Sequence, residues 1–179
     1  LNVLPPGVER HVVNAGGLTG LQIFPDDEIE IINDEGNQIC EIVCFDKDGK
    51  SELGILSQKE NSKKSFIKEI LKKKVEGSLI TNLQLKKRNL DINKSKSCIL
   101  FDNKTPSGEI IKIKSKDKCY VIFSAPQNDM LVSEQNPSSD LIIFIKRAKI
   151  VHDKELSIIP DPVFEPNYEK NIDRQTSIS

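Results

Sequence analysis

The sequence predicts a mainly β domain, a β-sandwich or barrel-like fold, carrying one Lys-rich helical insert. Short runs rich in β-branched and aromatic residues recur at close spacing, bounded by Gly, Pro, Asn and Asp. One central run breaks that pattern with apolar residues at helical spacing. At 179 residues the chain is long enough for one domain with a proper core.

The elements follow in order. After an extended Pro-Pro-Gly, VERHVV alternates as a strand and NAGG turns the chain. LQIF is a short strand closed by PDD. EIEII and QICEIVCF are strands joined by NDEGN, a hairpin-like connection in which Gly36 can supply a positive φ. FDKDGK is a further turn. The insert spans about residues 57–90. In it Phe66, Ile67, Ile70, Leu71 and Val75 make a helical stripe, Gly77 is a stop, and Leu79, Ile80 and Leu83 carry a second short helix. Strands return at SCILF, PSGEIIKIKS, KCYVIFSAP and DLIIFIKRA. In the second of these, Ile111 and Ile113 face one way, and Ile110, Lys112 and Lys114 the other. Residues 1–152 thus form the β-rich domain. Residues 153–179, with three prolines and no periodicity, read as a linker or tail.

Composition excludes several classes. Basic and acidic residues nearly cancel, 26 against 27, so there is no drive toward nucleic acid or an anionic membrane. The longest apolar run, LIIFI, is too short to cross a bilayer. No P-loop, dinucleotide fingerprint or nucleophile elbow is present. The lysines of the insert read as a solvated helical face, because no aromatic residues are interleaved for stacking. The acidic residues Asp26, Asp27, Glu28, Glu30, Asp34 and Glu35 read as a solvated turn, lacking a calcium-loop pattern. Four scattered cysteines with no C-x-x-C pair, and only His11 and His152 beside them, show no zinc spacing. We expect no metal site and no catalytic residue in this chain, and a reducing, cytoplasmic setting.

Cys40 and Cys44 decide much of this. In a strand they share a face but lie roughly 13 Å apart, whereas a disulfide needs Cα atoms within about 7 Å. With Ile42 between them they read as small apolar core residues. Glu41 stands apart, since it shares the Val43 and Phe45 face of an otherwise apolar strand. A carboxylate there must meet a partner or a wet cavity. Glu41 is therefore the ligand-binding candidate, with a Lys or Arg partner at the core edge as the alternative.

EIEIINDEGNQICEIVCF resembles the opening of the urea carboxylase-associated domain family, in which an "EGNQ"-like turn precedes a strand with an early acid. PSGEIIKIKSKDKCYVIFSAPQNDM resembles its closing section, although Ser124, Ala125 and Pro126 have no cysteine among them. Residues 8–45 and 106–146 are covered, and of the family's metal ligands only Glu41 has a match. The chain is more similar to the N-terminal region of trimethylamine N-oxide demethylases and related aminomethyltransferase-like proteins. That resemblance implies a metal-free first domain of a larger one-carbon enzyme, with a packing, assembly or gating role. Zinc and tetrahydrofolate would belong to the rest of the parent protein. Its partners would be the downstream domains of the same polypeptide and further copies of itself. The alternative is a free-standing β-barrel module that binds a small ligand or a partner. A start at Leu and an end at SIS suit a piece of a longer protein.

Overall fold

In the computed structural model, which describes residues 3–127 and 138–149, eight strands form two four-stranded antiparallel sheets. The strands are β1 (Val8–Val13), β2 (Leu18–Ile23), β3 (Glu28–Asn33), β4 (Cys40–Asp46), β5 (Cys98–Phe101), β6 (Glu109–Lys114), β7 (Cys119–Ser124) and β8 (Leu141–Lys146). One sheet runs β1-β8-β3-β6 and the other β2-β7-β4-β5. This is the strand order of an eight-stranded jelly roll. The mainly β sandwich with a helical insert is thereby confirmed. The linker or tail expected over residues 153–179 lies outside the described residues.

The connection between β3 and β4 is not a hairpin. Both edges of β3 are taken, by β6 and by β8, so β4 crosses to the other sheet. The crossing has its own supports. Gly36 (φ +80°) and Asn37 (φ +59°) turn the chain, and Asn33 Nδ2 donates to the Gln38 carbonyl at 2.7 Å. A Cβ on Gly36 would lie 2.7 Å from the backbone nitrogen of Ser107, so a larger residue would push the two loops apart.

Strand alternation sets the two cores. Ile29, Ile31, Ile143 and Ile145 of the first sheet meet Ile42, Val121 and Phe123 of the second, and Cys40, Cys44, Cys98 and Cys119 are buried among them. The opposite face of the second sheet carries Val43, Phe45, Tyr120 and Ile122. It is covered by α1 (Phe66–Leu71) and α2 (Glu76–Lys87) through Ile67, Ile70, Leu71 and Leu85. Both faces of β4 are buried, as its sequence requires.

Gly77 does not stop the first helix. That helix ends at Leu71, and Gly77 sits in the first turn of α2. A Cβ there would stand 2.4 Å from the Leu18 carbonyl oxygen, so glycine lets α2 approach β2. Ser78 and Asn82 tie the two helices together by donating to the carbonyls of Ile70 (2.6 Å) and Leu71 (2.9 Å).

The two sheets are clamped at one end by Arg147. Its guanidinium grips Glu9 with two bonds, at 2.8 and 3.0 Å, and donates to Asp27 at 2.8 Å and to the Gln22 carbonyl at 2.9 Å. Asp27 is therefore no solvated turn residue: it is buried and also accepts from the amides of Phe24 and Ala148. Burial pushes the Glu9 carboxyl up, but the hydrogen bond with His11 and the charge of Arg147 outweigh this and hold it down to about 2. Among the described residues, no helix is long and apolar enough to cross a membrane.

Candidate functional site

The helix-covered side of the second sheet holds two polar groups of note among the described residues, one buried and one half-buried. The first is Glu41. Alternation along β4 aims it at the start of α1, as its place beside Val43 and Phe45 predicts. Its Oε1 accepts from the Ile67 amide at 2.6 Å and its Oε2 from the Phe66 amide at 3.2 Å. Those donors have no partner within the helix, so a strand carboxylate supplies the cap from outside. Ser65 adds the local cap by accepting from the Lys68 amide at 3.3 Å. Burial raises the Glu41 carboxyl above its ordinary range, against the bonds from Ile67, Ser97 and Phe66 and the charge of Lys68. Its closest polar partners are thus backbone amides rather than a Lys or Arg side chain.

The second group is Arg88, the residue that ends α2. Composition hid it in a lysine run. Its guanidinium carbon lies 4.6 Å from the centre of the Tyr120 ring, and Nη1 donates to Gln22 Oε1 at 2.5 Å. Gln22 is itself fixed, because its amide nitrogen donates to the carbonyls of Cys119 (2.8 Å) and Ile23 (3.1 Å). Burial pushes the Tyr120 hydroxyl up to about 12, with the charge of Arg88 opposing. A Cβ on Gly20 would fall 1.9 Å from the Tyr120 hydroxyl oxygen, so the ring lies where only glycine leaves room. Beside this group is a cavity of about 220 Å³.

The remaining candidates are placed as follows. Burial raises the Cys40 thiol far above its ordinary value. Cys44 is raised by its hydrogen bond with Cys119 and by burial, so neither thiol ionises at neutral pH. His11 contacts Glu9 at 3.0 Å, and His152 lies outside the described residues. Among the described residues, no group of three or more His, Cys, Asp and Glu side chains converges as a metal site. Lys63, Lys64, Lys72, Lys73, Lys74, Lys86 and Lys87 are exposed, as a solvated face requires.

Fold and site together define a jelly-roll module whose second sheet is backed by a two-helix insert, with Glu41 and Arg88 on the helix-covered side. No family model matches the chain. It is distantly related to an enzyme of trimethylamine-oxide metabolism. It is 31% identical over 163 residues to a trimethylamine-oxide aldolase of Ruegeria pomeroyi, a match that covers 91% of this chain and 20% of that protein. The chain thus spans about a fifth of the length of the curated relative it matches.

Proposed function

We propose that this chain is the first domain of a longer trimethylamine N-oxide demethylase or aminomethyltransferase-like enzyme, with a packing, assembly or gating role beside the catalytic domains. On this reading zinc and tetrahydrofolate belong to those other domains. The observation that carries it is the outer face of α2. Val75, Leu79, Ile80 and Leu83, spaced four, five and eight residues from the first, are 37%, 63%, 58% and 53% exposed. Leucine and isoleucine in one helical stripe mark a surface meant to be covered. A relative several times longer supplies the kind of occupant, another part of the same polypeptide.

The test uses the whole polypeptide beside residues 1–179 alone. Leu79→Glu with Leu83→Glu should leave urea unfolding of the short chain unchanged, because both side chains already face water. In the whole polypeptide the same pair should loosen domain association and reduce trimethylamine N-oxide consumption. Full activity with unchanged association would reject the reading, as would a reading frame that stops after Ser179. The second reading, a ligand-binding β module, draws on the cavity beside Arg88 and not on Glu41, whose oxygens already cap α1.

A further inference from the structure

We infer that the cavity beside Arg88 is a binding site for a small organic carboxylate. The contrast between two half-buried arginines carries the inference. Arg147 spends its guanidinium on two carboxylates and a carbonyl. Arg88 is held by Gln22 and the Tyr120 ring, yet no described carboxylate forms an ion pair with it. Its Nε is buried and has no acceptor, and its Nη2 donates to no described group. Because Nε is closed to solvent, Nη2 is the donor left to meet a carboxylate oxygen from the cavity, in a charge-assisted bond.

The surroundings agree. Lys47 and Lys118 line the same cavity, so three cations face one acid, Asp46. That acid is occupied by its own turn, where Oδ1 accepts from the amides of Asp48 and Lys50, both at 2.9 Å. Leu90 and the Tyr120 ring supply apolar wall for a carbon skeleton, which inorganic phosphate lacks. A volume of about 220 Å³ suits an acid of a few carbons. Gln22 and Gly20 are positioning residues: one orients the guanidinium, and the other leaves space for the ring beneath it. The site stands on its own geometry and does not depend on the identity of the parent enzyme.

The test is titration of the 179-residue chain with acetate, succinate and inorganic phosphate at constant ionic strength. Calorimetry would be read beside the NMR signals of the Arg88 side chain and the Gln22 amide. Saturable binding of a carboxylate that shifts both signals is expected, weakened at least tenfold in Arg88→Gln. Lys118→Ala, at an exposed position that leaves the fold intact, should weaken it several-fold and keeps the test open if Arg88→Gln fails to fold. No saturable binding of either carboxylate would overturn the inference. So would binding unchanged in Lys118→Ala and Arg88→Gln, or saturable binding of phosphate alone.

Discussion

Replacing Glu41 by alanine should destabilise the domain through α1 rather than through the sheet. The Ile67 amide is buried and would lose a 2.6 Å acceptor, and the part-buried Phe66 amide would lose one at 3.2 Å. A buried donor left unsatisfied costs about 1–3 kcal/mol. Counting Ile67 in full and Phe66 at the low end gives about 2–4 kcal/mol for Glu41→Ala. Glu41→Gln keeps the shape and one acceptor but turns an NH2 toward the second amide, so about 1–2 kcal/mol is expected. The carboxyl is raised in the folded chain, so its contribution is fully present below the unfolded value and is lost as pH rises through the folded one. Glu41→Gln should therefore flatten that part of the pH dependence. Urea unfolding across pH, with hydrogen exchange at Ile67, measures both effects. A loss under about 0.5 kcal/mol with unchanged protection of the Ile67 amide would refute the capping argument.

Four other substitutions test the packing. Arg147→Ala leaves Asp27 buried without its partner and should cost about 3 kcal/mol, the low end for a broken buried pair because Glu9 stays partly wet. Since Glu9 is held down to about 2, wild-type stability should fall as pH drops from about 4.5 toward 2, and calorimetry should find that slope reduced in Arg147→Ala. Gly77→Ala puts a methyl group 2.4 Å from the Leu18 oxygen and should cost about 1–3 kcal/mol in urea unfolding, where an ordinary helix position would gain from alanine. Ile70→Ala should cost about 2–5 kcal/mol in the same assay, and exposed Lys72→Ala almost nothing.

Period-two alternation made the two faces of β4 legible. Cys40, Ile42 and Cys44 face one core, and Glu41, Val43 and Phe45 the other. The fully buried β7 and the half-exposed β6 were legible for the same reason. Pairing was not. A Gly-containing connection looks the same whether the next strand returns beside the first or crosses to another sheet, and only the later strands β6 and β8 close that edge. The second helix was readable from Leu79, Ile80 and Leu83, yet those residues are exposed. The helix packs instead through Ser78, Thr81 and Leu85, at a close approach that Gly77 permits. Asp27 was misread, and Arg88 passed over beside the lysines, because what holds each is distant in sequence: Arg147 for one, Gln22 and Tyr120 for the other. A usable signal did exist in the scarcity of arginine. Only four of the 26 basic residues are arginine, and two of those, Arg88 and Arg147, use the planar guanidinium in side-chain bonds.

The claim that this jelly roll serves inside a longer enzyme is tested most directly by isolating the native polypeptide with an antibody raised against residues 1–179. Its mass and its consumption of trimethylamine N-oxide would then be measured. The account predicts a species several times heavier than 20.1 kDa that consumes the compound. A native 20.1 kDa protein without that activity would contradict it.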